Sequence, residues 1–390
     1  MEKFSEKKDK RPSERLLALD AARGLAVIGM YVQHFALNRA NSFVSGNTMI
    51  LFMLCSGISY TLKNRKMLER GEPEANFRAG MLARTVFLDF AGYVLILLNG
   101  PFAVVLPAYA MLFLLALPWK DQRTSVLMWS AAGLFVTAPP LMILGLSLFS
   151  GAPVLGDIAG GPLSALAWLP VFLTGMAVGR LNLSDCRTAG RLAFTGAVIF
   201  IPVKAFSVFV LPGIRASVET MLSRMPYVTP DPYAVWPRNT EPVPWHLLFM
   251  DMPQGGSMFE LLIGTGGFLV LFGFLLWAQK RFSFLYRLPA QAGRCALTLY
   301  AVQFFLAWGL ALLGIEVTAL DIGSKFLGDI AVAVFALLFA VLLSRLPAAP
   351  LEAALRKWEG LFSAQRPLSP DSVLTEENRS QPFDKNTKMR

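Results

Sequence analysis

Charged residues are scarce in this sequence. Asp, Glu, Lys and Arg make up only 16% of its 390 residues, whereas soluble domains contain about 25%. Hydrophobic residues make up 55%, and the mean hydropathy is +0.51. This balance excludes a disordered, collagenous or ordinary soluble chain, and it predicts an all-α, polytopic integral membrane protein.

Cysteine and histidine are also rare. The three cysteines, Cys55, Cys186 and Cys295, lie far apart in the sequence. Their spacing excludes a disulfide framework and a zinc-ligand pattern, so we expect no metal site. The two histidines, His34 and His246, are therefore the imidazoles available for proton transfer near neutral pH.

The net charge of +10 does not predict a nucleic-acid partner. The basic residues lie between apolar stretches, without interleaved aromatic residues or a nucleic-acid-binding motif. Their distribution is instead typical of the charges that set the orientation of membrane helices.

Ten apolar stretches have the length of about 17–25 residues that a helix needs to cross about 30 Å of hydrocarbon. They cover residues 17–38, 46–62, 80–99, 102–118, 125–149, 163–179, 192–212, 257–278, 293–314 and 324–344. With the N-terminus inside, the cytoplasmic segments near these helices carry 23 Lys and Arg residues and the outer segments carry 5. This asymmetry follows the positive-inside rule and predicts ten transmembrane helices with both termini cytoplasmic.

The polar segments complete the predicted organisation. Residues 16–346 form the ten-helix domain, with a large outer loop over about 213–256. Residues 347–360 are predicted to form an amphipathic helix at the inner membrane interface. Residues 1–15 and 366–390 are predicted to be disordered cytoplasmic tails.

The first predicted helix carries three polar residues, Asp20, Arg23 and His34. Ionisable groups inside a membrane are costly and indicate function by default. Asp20 and Arg23 share one helix face near the cytoplasmic end, and His34 lies about 21 Å further along, near the outer leaflet. A structural alternative is that Asp20 and Arg23 tie helices together and that His34 is an interfacial histidine.

Six sequence motifs carry a resemblance to a known family. They are, in order, RLLALDAARGLAVIGMYVQH, GNTMILFMLCSGIS, AWLPVFLTGMAVGRLNL, GSMFELLIGTGGFLVLFG, GRCALTLYAVQ and PAAPLEAALRKW. Over about residues 15–358 the chain resembles the transmembrane acyltransferase superfamily. This group includes the heparan-alpha-glucosaminide N-acetyltransferase catalytic domain, YeiB-like bacterial membrane proteins and, more distantly, acyltransferase-3 proteins.

The resemblance implies acyl transfer across the plasma (inner) membrane of a bacterium. A cytoplasmic donor, acetyl-CoA or a related acyl-CoA, would modify a hydroxyl or amine of an outer saccharide, glycan or lipid. His34 matches the expected catalytic base of the acyltransferase-3 branch, and Asp20 and Arg23 match its acidic and basic positions. Membrane lipid is the other expected partner, and a homodimer is left open.

Three positions depart from the pattern that many relatives share. Asn47 stands where many of them have arginine, Gln254 stands where many have histidine, and Gln303 replaces a histidine found in several. These changes indicate either a different acceptor or a non-enzymatic member.

Other polar residues are assigned by their predicted position. Donor binding is assigned to Asp20, Arg23, Arg294 and Arg180, of which Arg294 and Arg180 lie at inner helix ends and are candidates for binding donor phosphates. Arg84 also lies at an inner helix end, and a CoA-type donor requires more than one basic group. Glu260 begins the eighth predicted helix at the membrane depth of His34, where a carboxylate could orient the histidine or bind an acceptor amine. His246, Asp251 and Gln303 are assigned to the acceptor side.

Two other functions stay open at this stage. A transporter for a small or lipid-linked solute would use the Asp20, Arg23 and His34 line as a pathway, without dependence on CoA. A catalytically inactive relative would act as a partner-binding membrane subunit.

Overall fold

The computed structural model describes residues 16–149, 152–225, 243–279, 281–315 and 326–362. Over these ranges the chain is helical and contains no strand. Its α-helices are α1 (Leu17–Phe35), α2 (Asn47–Glu69), α3 (Glu74–Leu97), α4 (Leu106–Leu115), α5 (Thr124–Phe149), α6 (Leu155–Ala159), α7 (Ala165–Gly179), α8 (Cys186–Phe209), α9 (Leu211–Ser223), α10 (Met258–Ala278), α11 (Arg287–Arg294), α12 (Ala296–Leu312), α13 (Phe326–Ser344) and α14 (Pro350–Leu361). The predicted disordered tails, 1–15 and 366–390, lie outside the described residues.

The prediction of an all-α chain is confirmed for the described residues. Five helical segments, which contain α2, α3, α5, α8 and α10, are long and apolar enough to cross a membrane. Helix α12, together with the helical turn and α11 before it, gives a sixth candidate that is bent by 65°. Each of the ten predicted stretches contains an α-helix, but the apolar segments at α4 and α7 are shorter than a full span.

Helices α2 and α7 pack at the centre of the molecule through small residues. A Cβ atom at Gly57 would lie 2.1 Å from the carbonyl oxygen of Phe172, and one at Gly175 would lie 2.4 Å from that of Leu54. The two backbones therefore meet directly, as small residues allow between membrane helices. Trp168 and Phe172 of α7 are fully buried beside this contact.

Helices α1 and α11 approach each other just as closely. A Cβ atom at Gly24 would lie 1.8 Å from the Pro289 carbonyl oxygen, and one at Gly293 would lie 1.8 Å from the Asp20 carbonyl oxygen. The reciprocal contact fixes the short helix α11 against the N-terminal half of α1. It thereby places Arg294 beside the carboxylate of Asp20.

The amphipathic helix predicted over residues 347–360 is present as α14. Near its N-terminus, the Glu352 carboxylate accepts hydrogen bonds from the Leu297 N–H (2.8 Å) and the Thr298 hydroxyl (2.5 Å) of α12. Near its C-terminus, Trp358 Nε1 donates to the Ala83 carbonyl oxygen of α3 at 2.8 Å. Helix α14 therefore joins α12 to α3 at one end of the bundle.

We predict that Gly293→Ala destabilises the protein by about 1–3 kcal/mol, the usual cost of overpacking. The new methyl group would collide with the Asp20 carbonyl oxygen, which is backbone and cannot rotate away. Thermal unfolding of the purified protein would measure the change.

Gly309→Ala is the matched control, because Gly309 lies within the neighbouring helix α12 and a Cβ atom there meets nothing within 4 Å. It should leave the unfolding temperature unchanged or slightly higher, since alanine favours helix more than glycine. Equal unfolding temperatures for the two variants would contradict the close α1–α11 contact.

Candidate functional site

One cavity of about 810 Å³ connects the two polar ends of α1. Arg23 and His34 both line it, although they are 11 positions apart, about 16 Å along the helix. The walls come from α1, α2, α3, α4, α11, α12, α13 and α14. The cavity therefore has the elongated form that the spacing along α1 predicts, with basic groups at one end and an imidazole at the other.

The orientation of His34 is set by Gln303 and two phenylalanines. The Nδ1 atom of His34 lies 3.1 Å from the amide oxygen Oε1 of Gln303. With the Gln303 amide oxygen in this position, a hydrogen bond requires the proton on Nδ1, which leaves the lone pair on Nε2. The imidazole stacks on Phe102 with a centroid separation of 4.0 Å, and Phe304 meets it edge-on at 6.2 Å.

Three other polar residues line the His34 end of the cavity: Gln33, Thr48 and Gln254. The Thr48 hydroxyl donates to Gln33 Oε1 at 3.1 Å, which joins α2 to α1 at this end. Gln254 has a φ of +61°, a left-handed conformation that is uncommon for residues other than glycine. Its position in the cavity wall therefore depends on the loop between the 3-10 helix Trp245–Phe249 and α10.

Glu260 holds that loop. Its carboxylate accepts hydrogen bonds from the backbone N–H groups of Gln254 and Gly256, the latter at 2.8 Å. Glu260 is buried but is not among the residues that line the cavity. The structure thus brings Gln254 to the cavity, and it gives Glu260 contacts that position the loop rather than a contact with His34.

Asp251 and His246, both assigned to the acceptor side, also lie away from the cavity lining. Asp251 binds Lys204 at 2.9 Å and accepts a hydrogen bond from the Ser207 hydroxyl at 2.5 Å, which fastens the loop to α8. Burial acts to raise the pKa of Asp251, but these two partners outweigh it and hold the pKa below its usual range. His246 lies in the short 3-10 helix Trp245–Phe249.

The basic end of the cavity is organised around Asp20. The Asp20 carboxylate lies 3.5 Å from Arg23 Nη1 and 3.6 Å from Arg294 Nε. Arg23 Nη2 also donates to the Ser59 hydroxyl of α2 at 2.6 Å. The structure therefore brings together Asp20, Arg23 and Arg294, three of the four residues predicted to bind the donor.

Arg180, the fourth residue, is placed elsewhere. Its guanidinium donates to the carbonyl oxygens of Trp119 (2.9 Å), Lys120 (3.1 Å) and Gln122. It does not line the cavity. These contacts fix the turn between α4 and α5, and the structure lends no support to a donor-binding role.

A second group of charges lies at the same end, and sequence reasoning noted only Arg84 among them. Lys63 of α2 and Arg84 of α3 line the cavity, and both bind the carboxylate of Glu359 from α14, at 2.8 and 2.7 Å. The guanidinium of Arg84 also lies over the ring of Phe113, 5.4 Å from its centroid. Lys63 and Glu359 looked like ordinary charges at helix ends, and nothing in the local pattern connects α14 with α2 and α3.

Hydroxyl groups line the middle of the cavity, which sequence reasoning also missed. The Tyr109 and Ser56 hydroxyls lie 2.8 Å apart, and the Tyr300 hydroxyl accepts from the Val105 N–H at 3.1 Å. Tyrosines are common in apolar helices, so their positions in the sequence do not indicate a binding site. In the part of the chain that the structure covers, no three His, Cys, Asp or Glu side chains converge as metal ligands would.

Comparison with known proteins adds no family assignment. No family model matches the chain, and no curated protein matches it. The acyltransferase resemblance therefore stays a prediction that depends on its motifs and on the geometry of the cavity.

We predict that Glu260→Gln lowers stability by about 1–3 kcal/mol, because glutamine keeps only one oxygen and one of the two bonded N–H groups loses its acceptor. Asp251→Asn is the control, since its pair with Lys204 is partly exposed and such pairs contribute about 0–1 kcal/mol. Thermal unfolding of both variants measures the difference. A Glu260→Gln protein with unchanged stability and lost activity would instead make Glu260 a catalytic residue.

Proposed function

We propose that the protein is an integral-membrane acyltransferase. It moves an acyl group, acetyl in the simplest case, from a cytoplasmic CoA-type donor to an acceptor on the outer side of the membrane. The acceptor is a hydroxyl or amine of a saccharide or of a cell-envelope glycan or lipid. The observation that carries this proposal is a cavity with arginines and a lysine at one end and His34, in contact with the buried Gln303, at the other.

The donor end has the charge that a CoA-type molecule requires. Arg23, Lys63, Arg84, Arg294 and Arg356 all line the cavity there. Guanidinium groups bind phosphate through paired charged hydrogen bonds. The apolar and hydroxyl-bearing middle of the cavity then suits the thinner pantetheine arm, which would carry the thioester toward His34.

His34 has the tautomer that a general base needs. Nε2 would take the proton from the acceptor while the acceptor oxygen or nitrogen attacks the thioester carbonyl carbon. The carbon–sulfur bond then breaks, and the leaving thiolate receives the proton from the imidazolium. Gln303 holds Nδ1–H throughout, so the ring keeps one orientation during both proton transfers.

The proposed topology is ten transmembrane helices in the plasma (inner) membrane, with both termini cytoplasmic. Two contacts support opposite directions for the first two helices. Thr48 binds Gln33 at one end of the α1–α2 pair, and Ser59 binds Arg23 at the other. Helices α1 and α2 are therefore antiparallel. Lys63 and Arg356 then fall in segments that the positive-inside rule assigns to the cytoplasm, and Arg23, Arg84 and Arg294 lie near the cytoplasmic ends of predicted helices.

A transporter is the second candidate, because the same cavity is lined by polar groups near both ends of α1. A transporter would move a solute through this cavity without consuming CoA. An inactive relative is the third, and Asn47 favours it, since this side chain donates to the Phe43 carbonyl oxygen at 2.7 Å and does not line the cavity. Saturable binding of acetyl-CoA to the purified protein separates the enzyme from both.

We predict that His34→Gln and His34→Ala reduce acyl transfer by about 10²–10⁴-fold, the typical value of general-base catalysis. Glutamine keeps a polar side chain but cannot accept a proton at neutral pH. Donor binding should change little, because His34 lies at the opposite end of the cavity from the basic residues. Transfer of a labelled acetyl group and calorimetric CoA binding measure the two quantities.

His246→Gln is the control, because the second histidine does not line the cavity. It should retain wild-type transfer. Full activity of His34→Gln would make His34 structural and would contradict the proposed mechanism.

We also predict that Cys186 lies on the cytoplasmic side. Its side chain is exposed, whereas Cys55 and Cys295 are buried, so a membrane-impermeant maleimide should react mainly with Cys186 and only after permeabilisation. In a Cys186→Ser protein, Arg215→Cys of α9 should react in intact cells. Reaction of Cys186 in intact cells would contradict the topology.

A further inference from the structure

The contact between Glu359 and the pair Lys63 and Arg84 differs from the other ion pair of the cavity. Asp20 binds its arginines from within α1, next to the rigid α1–α11 contact. Glu359 comes from α14, the last helix that the structure describes, and reaches two cations on other helices. Its two carboxylate oxygens are divided between them: Oε2 binds Lys63 Nζ at 2.8 Å and Oε1 binds Arg84 Nε at 2.7 Å.

We propose that Lys63 and Arg84 form a phosphate-binding site, and that Glu359 occupies this site until a phosphate group of the ligand displaces it. The ligand is the phosphorylated acyl donor, so this inference rests on the proposed function and extends it. Glu359 thus acts as a built-in competitor for the donor.

The geometry supports an exchange of this kind. Lys63 and Arg84 line the cavity, and their side chains are partly exposed, at 33% and 26%. A phosphate monoester presents three oxygens and a charge of about −1.5 to −2, so it can replace both carboxylate oxygens with a stronger charge. Neither cation would be left unpaired after the exchange.

The carboxylate is charged and able to compete at neutral pH. Burial acts to raise the pKa of Glu359, but Arg84 and Lys63 outweigh it and hold the pKa below its usual range. Without a ligand, Glu359 therefore neutralises two partly buried cations whose repulsion would otherwise be uncompensated.

The two ends of α14 would respond differently to displacement of Glu359. Glu352 lies seven residues before Glu359, about 10 Å along the helix, and stays bound to α12 through Leu297 and Thr298. The neighbouring hydrogen bond from Trp358 to Ala83 lies next to Glu359. Displacement would thus free the C-terminal turns of α14 while its N-terminal turn holds.

Calorimetry on the purified full-length protein tests the proposal, with CoA and adenosine 3′,5′-bisphosphate as probes. If Glu359 has left the Lys63–Arg84 site in about one tenth of the unliganded molecules, removal of this competitor should lower the dissociation constant of the probe about tenfold. Glu359→Gln should therefore bind both probes about tenfold more tightly than the wild type. Arg84→Met should bind them at least about tenfold more weakly.

Glu69→Gln is the matched control. It removes one negative charge from the C-terminal end of α2, where Glu69 pairs with Arg65 at 3.7 Å outside the cavity lining. Its affinity should match the wild type, which separates the loss of a competitor from a general change of charge. Thermal unfolding checks that each variant is folded.

Hydrogen exchange on the wild type tests the same step without a mutation. Addition of CoA should increase exchange in about residues 356–361 and leave about 350–354 unchanged. Slower exchange at 356–361, or weaker binding by a folded Glu359→Gln protein, would overturn the proposal by making Glu359 part of the binding site.

The outcomes also separate this inference from the proposed function. If the wild type binds CoA and Glu359→Gln binds it equally, the acyltransferase proposal stands and the competitor role is wrong. If neither folded protein binds CoA or the bisphosphate, both proposals fail.

Discussion

The cavity depends on the ion pairs that the buried carboxylate of Asp20 forms with two arginines. A charge at this depth is tolerated only when it is paired, and Asp20 lies within 3.6 Å of both Arg23 and Arg294. The close contact of Gly24 and Gly293 with the facing backbones brings α11 near enough for Arg294 to reach it. Backbone packing and charge pairing therefore require each other, and together they fix one end of α1 while leaving the arginines facing the cavity.

The positions of the apolar helices and of the polar residues in α1 were predicted well from the sequence. Hydropathy located a helix in every predicted stretch, because burial in lipid acts on each segment separately. The three polar residues of α1 were found for the same reason, since each is costly in an apolar helix. Fewer full spans are present than predicted: α4 and α7 are short, and the candidate span that ends in α12 is bent by 65° where α11 meets it.

Contacts between distant segments could not be predicted in the same way. Glu359 and its partners Lys63 and Arg84 are 296 and 275 residues apart, and no local pattern links them. Arg180 shows the opposite error: its position at a helix end suggested phosphate binding, but backbone carbonyl groups of a nearby turn satisfy it. A charge at a helix end has many partners available, and tertiary packing decides among them.

The His34–Gln303 pair shows how a neutral side chain can orient the imidazole ring. A carboxylate beside His34 would add a buried charge that needs its own partner. The neutral amide fixes the same tautomer through one 3.1 Å contact without that charge, and Phe102 stacked at 4.0 Å restricts the ring in the remaining direction. An amide at position 303 is therefore compatible with a working base, and the charged groups of the cavity are concentrated at the opposite end, where an anionic donor would enter.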